Sequence, residues 1–271
     1  MIHYLIICLA LCFSVTASAE TTKVRLVTSE FAPLQYGNNN PKGYVVDLLD
    51  KLRPILLKKH NIELGNIEFF PWRRAIQIAS NDKNTLFFSL SRTPQRENKF
   101  IWMAEVSPYR QAIFSLEKTD RNQSETPFNN WQELVHSHRI LAIQSGSQLQ
   151  NYVSTDLAML DEQLYPVPHY LIAIKMLFAG RIDFLPLTEF LAKGTLCRSG
   201  YPSERLKYNF TINEFANPLW AAFSHNTDKK VINSTRHEML KISQSNWYET
   251  HQNDVIEKWN QEQCRNLARA N

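Results

Sequence analysis

An α/β fold is predicted by three observations. Short apolar or alternating stretches recur at residues 23–28, 67–70, 86–89, 110–116, 139–144, 165–169 and 206–212, each of strand length. Helix starts marked by proline, glycine or serine follow several of them. The chain of 271 residues suits two modest lobes or one large one.

Composition narrows the function classes. With 44% hydrophobic and 11% aromatic residues and only 7 glycines, the chain can build substantial cores. Thirty basic against 26 acidic side chains leave a formal charge of +4, too mild to argue for a nucleic-acid partner. Residues 1–19 carry an apolar run from Tyr4 to Val15 followed by Ala17-Ser18-Ala19. That run is short for a bilayer span and ends in a small-residue cleavage pattern, so a secretory signal peptide cut after Ala19 is expected. The run lacks a Lys or Arg before its apolar core, and Cys12 raises a lipoprotein alternative that the bulky Leu11 argues against. Cys8 and Cys12 leave with the leader; Cys197 and Cys264 remain, and an even pair in an exported protein is a disulfide candidate. Closing that long loop would contribute about 4 kcal/mol by chain entropy. Two free buried thiols are the alternative.

The first strand, 23–28, alternates apolar and polar positions and leads to Ser29-Glu30-Phe31-Ala32-Pro33-Leu34. A polar turn over 37–43 follows, and Gly43-Tyr44 opens a helix running to about Lys59. After the strand at 67–70, Pro71-Trp72-Arg73-Arg74 opens a second helix; proline is favoured in a first turn. Trp72, just past a strand end, can wall a pocket, though it would equally serve a core. Arg73 and Arg74 read as a solvated face or as positive field at a cleft. The apolar run Leu86-Phe87-Phe88 reads as a buried strand, breaking into Ser89, Ser91, Arg92, Thr93, Pro94 and Arg96. Thr93 fits an N-cap and Pro94 the first helical position. Hydroxyls, helix-start N–H groups and a guanidinium together suit a small anion, because the guanidinium can grip a carboxylate through two parallel hydrogen bonds.

A strand at 110–116 reads as a crossover into a second lobe, followed by a surface loop over 118–130 and a short helix at 131–135. Strand 139–144 turns through Ser145-Gly146-Ser147 into a helix near Leu149; glycine there permits close backbone approach. A helix over 173–179 stops at Gly180-Arg181-Ile182-Asp183, residues 216–223 return the chain to the first lobe, and amphipathic helices at 228–241 and 254–265 would pack back on that lobe.

The segment S-L-S-R-T-P-Q-R followed by F-I-W-M-A-E-V-S-P-Y resembles the ligand-gripping stretch of the family-3 periplasmic solute-binding proteins, the amino-acid receptors of ABC importers. The openings around Phe31 and Gly43–Asp47, the turn Gln144–Ser147 and Gly180–Asp183 resemble the same family. The resemblance implies a two-lobe type II periplasmic binding fold with two crossover hinge strands. First-lobe residues would be 20–110 and 218–271, and second-lobe residues 111–217. It also implies that Ser89, Ser91 and Arg96 hold a ligand carboxylate, that Phe31 and Trp72 sandwich the ligand body, and that Ser145, Gly146 and Ser147 form the second lobe's donor cradle. Core packing is the other reading of Phe31, and Asp47 reads as structural. Where the amino-acid binders commonly place an aspartate for the ligand's α-ammonium, this chain has Thr188, with Glu189 next to it. Either Glu189 takes that role or the ligand is not an ordinary α-amino acid.

The implied function is capture of a small carboxylate-bearing ligand in the periplasm by a monomeric, cofactor-free binding protein that delivers it to an ABC permease by hinge closure. Two alternatives stand beside it: a sensing module on the same fold, and a dehydratase-type enzyme. For the enzyme, Glu30, Glu189 and His169 are the acid–base candidates.

Overall fold

The computed structural model describes residues 20–117, 126–168 and 170–270. The expected leader with Cys8 and Cys12, the cleavage site expected after Ala19, His169, and the loop positions Asp120, Asn122 and Ser124 lie outside the described residues.

Strand β1 (Thr22–Thr28) pairs in parallel with β2 (Ile62–Phe69) and β3 (Thr85–Ser91). Helix α1 (Tyr44–His60) joins the first two, and α2 (Trp72–Asn81) joins β2 to β3. The second strand begins five residues earlier than the sequence suggests. Gly65-Asn66 looks like a turn, but parallel pairing with β1 carries the strand through it, and the register shifts opposite that point between Val24 and Leu26. Every residue of β3 except Ser91 is buried, as expected of a central strand covered on both faces. A four-residue helix, α3 (Pro94–Glu97), leads to β4 (Ile101–Ser107), a strand that local patterning did not separate from the crossover.

The chain then enters a second set of strands through Pro108-Tyr109-Arg110. Strand β5 (Gln111–Leu116) is followed by α4 (Trp131–His136), β6 (Leu141–Gln144), α5 (Gln148–Asn151) and β7 (Leu164–Val167). Helix α6 (Tyr170–Phe178), β8 (Leu185–Thr188), α7 (Ala192–Arg198) and β9 (Leu206–Thr211) complete it. The return through 212–218 leads to β10 (Leu219–Phe223), which inserts antiparallel between β3 and β4. The first sheet therefore has the order β2-β1-β3-β10-β4, while the second part holds β8-β5-β9 and β6-β7. A parallel bridge between Leu141 and Phe184 joins these two smaller sheets.

Each sheet is covered on two sides. Leu26, Leu48, Leu52, Phe88 and Met103 pack in one core of the first lobe, and Val27, Ala75, Phe87 and Trp102 in the core under α2. In the second lobe, Ile174, Leu177, Leu185 and Leu196 form one core and Ile113, Leu134, Ile143 and Phe184 the other. Asp183 Oδ2 accepts from the Ile140 backbone N–H at 2.9 Å, so this residue of the Gly180–Asp183 motif anchors the entry to β6.

The chain ends in α8 (Lys229–Ser243) and α9 (Asn246–Ala270). Helix α9 departs from expectation: it is 25 residues long and does not stay on the first lobe. Near its start the Tyr248 hydroxyl donates to the Val106 carbonyl at 2.6 Å, and His251 meets Asp47 at 2.7 Å. Farther along, Asn260 donates to the Phe190 carbonyl at 2.8 Å and accepts from the Gly194 N–H at 2.9 Å. Cys264 is joined to Cys197 of α7 by a disulfide. Glycine is needed at position 194 because a Cβ there would stand 2.5 Å from the Trp259 ring. Among the described residues no helix is long and apolar enough to cross a membrane.

Candidate functional site

The carboxyl end of β3 sets the first half of the site. Ser89 has φ of +63°, a left-handed conformation uncommon for serine, and the ladder against β10 shifts register nearby, between Trp220 and Ala222. Only 4% exposed, Ser89 donates its hydroxyl to Gln35 Oε1 at 2.7 Å. The Gln35 amide in turn donates to Thr28 Oγ1 at 3.3 Å and to the Ser29 carbonyl at 3.1 Å. Ser89 is thus held inside a buried polar network, with acceptor capacity on its oxygen but its proton already given to Gln35. Gln35 had no signal in local sequence; only the fold of 31–36 brings it here.

Ser91 ends β3 half-buried, and α3 follows after Arg92 and Thr93. Thr93 takes the extended N-cap conformation without a side-chain cap bond, and α3 is too short to present a field of free N–H donors. The arginine is the chief feature of this turn. Arg96 Nη1 donates to the Ser91 carbonyl at 3.0 Å, and its guanidinium lies over the Trp72 ring, 5.5 Å from the centroid. No carboxylate among the described residues pairs with it. Burial pulls its pKa below the ordinary arginine value, which marks the loss of water around the charge.

Trp72, at the start of α2, is 39% exposed and packs tilted against Phe87, with ring centroids 5.5 Å apart. Its neighbours diverge. Arg74 stacks on Phe70, 5.0 Å from the ring centroid. Arg73 reaches toward the second lobe: a Cβ on Gly146 would lie 3.8 Å from Arg73 Nη2. Arg73 makes no hydrogen bond or ion pair among the described residues.

The second-lobe turn uses its own donors. Ser145 N–H donates to the Val167 carbonyl at 2.8 Å, and Gly146, at φ +72°, donates its N–H to Gln150 Oε1 at 2.7 Å. The Ser147 N–H goes to the Gln144 carbonyl at 3.1 Å, and its hydroxyl caps α5 by accepting from Gln150 N–H at 3.1 Å. The expected cradle is therefore closed on itself, with the Gln150 side chain as its most readily displaced partner. Tyr170 stands against this turn. Burial pushes its hydroxyl pKa up, while polar groups of Gln144, Gln111 and Ser147 oppose the shift.

Phe31 and Tyr109 meet edge to face, with centroids 6.3 Å apart, which brings the first-lobe loop against the crossover. Burial pushes the Tyr109 hydroxyl up to about 12, with the Thr188 side chain working in the opposite direction. Glu189 is engaged elsewhere: Oε2 accepts from the Thr211 hydroxyl at 3.0 Å and Oε1 lies 3.6 Å from Arg110 Nη2. Glu30 accepts from the Gly37 N–H at 3.1 Å. Contacts thus link Trp72, Arg96 and Ser91, then Phe31, Tyr109 and Thr188, and finally Arg73 and the Ser145–Ser147 turn. Glu189 is held instead by Thr211 and Arg110. Tyr109, which closes the family-resembling stretch without an expected ligand role, joins that set, as do Tyr170, Gln35 and Gln111, which were not singled out in the sequence.

A groove of about 660 Å³ lies beside Arg92, lined also by Pro94, Glu97, Glu105, Asn217 and Trp220. Its cation is already paired with Glu97, so the groove offers a ligand no unspent charge.

No family model matches the chain, and no curated protein matches it in sequence. Solved structures do. A histidine kinase sensor domain similar to periplasmic binding proteins superposes with a TM-score of 0.65 at 14% identity, covering 89% of this chain and 96% of that one. The AvGluR1 ligand-binding domain in complex with glutamate gives 0.66 at 14% identity, with 89% and 96% covered. The Streptococcus pneumoniae amino acid ABC transporter substrate-binding protein AbpA bound to L-arginine gives 0.62 at 16% identity, with 88% and 95% covered. The chain has the two-lobe fold of the type II periplasmic binding proteins.

Proposed function

We propose that this protein is a non-enzymatic binding protein that captures a small carboxylate-bearing molecule between its two lobes. The observation that carries this reading is Arg96: a half-buried guanidinium without an acidic partner among the described residues, braced on Trp72 and the Ser91 carbonyl. Such a charge has lost part of its water without gaining a counter-ion, and a bound carboxylate supplies one through Nε and Nη2. Ser91 would add a hydroxyl donor, and Ser89 would join it only by turning its proton from Gln35 to the ligand, with Phe31, Trp72, Tyr109 and Tyr170 as walls. Closure of the lobes would bring Ser145–Ser147 and Thr188 onto the ligand. Delivery to an inner-membrane permease from the periplasm is the cellular role that the fold's importer relatives suggest. A sensing role is the second reading, favoured by the likeness to a histidine kinase sensor domain.

A thermal-shift screen of the mature protein against carboxylates tests the binding reading. A ligand at a hundred times its Kd adds about 2.7 kcal/mol of stability. A hit that Arg96→Ala retains at parental affinity would remove Arg96 from the site. Pull-down of a permease or of a kinase by the liganded form separates the two cellular roles.

A further inference from the structure

Resting on the carboxylate-binding reading above, we infer that the cleft takes a dicarboxylate without an ammonium group, Arg96 holding one carboxylate and Arg73 the other. Two guanidiniums enter the site from the first lobe. Neither has an acidic partner among the described residues, and Arg73 stands over the turn at Gly146. Of the acids near this region, only Glu189 has a cation beside it, and the other two are tied to backbone N–H groups. Glu189 is held by the Thr211 hydroxyl and faces Arg110, Glu30 accepts from Gly37, and Asp183 is bound to the Ile140 N–H. Thr188, where an ammonium would need a counter-charge, offers only a hydroxyl to a cation. An α-ammonium placed here would face two cations, with Thr188 rather than a carboxylate beside it, and like charges sharing one site repel.

Aromatic faces do not replace the missing acid. The Trp72 ring already lies under the Arg96 guanidinium, and Phe31 and Tyr109 present an edge-to-face contact to each other. They fit an apolar linker between two carboxylates better than a cage around a cation. Arg73 also sits where a carboxylate would be shared between the lobes, since the Gly146 N–H is held only by the Gln150 side chain. A dianion bridging Arg96 and Arg73 thereby couples binding to closure.

The test pairs molecules that differ only in the ammonium group. Calorimetric titration of the mature protein with succinate, glutarate and adipate is set against aspartate, glutamate and 2-aminoadipate. We expect the best dicarboxylate to bind at least about ten-fold tighter than its amino-acid counterpart, the difference that one uncompensated charge makes. Arg73→Ala should weaken that dicarboxylate by about ten-fold and leave pentanoate unchanged, because only the second carboxylate uses it. If the amino acids bind more tightly than their deaminated partners, the inference fails while the carboxylate site stands. Equal loss of dicarboxylate and pentanoate in Arg73→Ala also overturns the role given to Arg73. If neither series binds, or inorganic phosphate outcompetes both, the underlying carboxylate reading fails with it.

Discussion

Arg92 and Arg96 leave the same turn yet meet opposite fates. Arg92 donates to both oxygens of Glu97, at 2.8 and 2.5 Å, and its guanidinium stacks between Trp102 and Trp220, 5.4 and 4.9 Å from their centroids. Arg96 has one carbonyl, one ring and no acid among the described residues. Residue type alone does not rank them; the motif resemblance chose Arg96. What separates them is where their charge is spent: the first is paired within the protein, while the second has no acidic partner among the described residues and is the one we propose for the ligand.

Four experiments would break or sharpen that contrast. The largest effect is expected from Arg96→Ala, which should weaken a carboxylate ligand by about a hundred-fold or more, because truncating one partner of a desolvated charge pair strands the other. Melting of the unliganded variant should stay near the parent. Next comes Gln35→Ala, which strips the Ser89 hydroxyl and Thr28 of a buried partner; chemical denaturation should show a loss of about 1–3 kcal/mol. The Arg92→Ala variant should bind ligand within about two-fold of the parent, since an exposed ion pair away from the ligand contributes little to it. A large affinity loss there would erase the distinction between the two arginines. The smallest effect concerns Glu68, whose carboxyl is held below the usual carboxylate range by its hydrogen bond from Arg25. Its contribution is present at neutral pH and is lost as pH falls through that lowered value. Glu68→Gln should therefore narrow the stability difference between neutral and acidic conditions, and an unchanged acid limb would refute the assignment.

Local pattern made most of the first lobe legible. The run Leu86–Phe88 needed no partner to read as a buried strand, and Thr93-Pro94 marked the start of α3 by backbone preference alone. The extent of β2 was hidden because Gly65-Asn66 mimics a turn until β1 lies beside it. Helix α7 was missed, since Leu196 and Cys197 carry no boundary signal of their own. In the candidate site, the residues contributed by strand ends could be named from sequence. Gln35 and Tyr170 could not, because their place depends on how distant loops meet. Glu189 could be recognised as an acid, but its engagement could not: its partners Arg110 and Thr211 lie far from it in the chain and close in the fold.

The path of α9 bears on how the molecule moves. A rod bonded to β4 near one end and covalently stapled to α7 near the other acts as a stay across the joint. The lobes can rock against it, but wide gaping would require bending a continuous helix or stripping Asn260 from its carbonyl. If the lobes do close on a ligand as proposed, this stay leaves less angular freedom to be lost on binding.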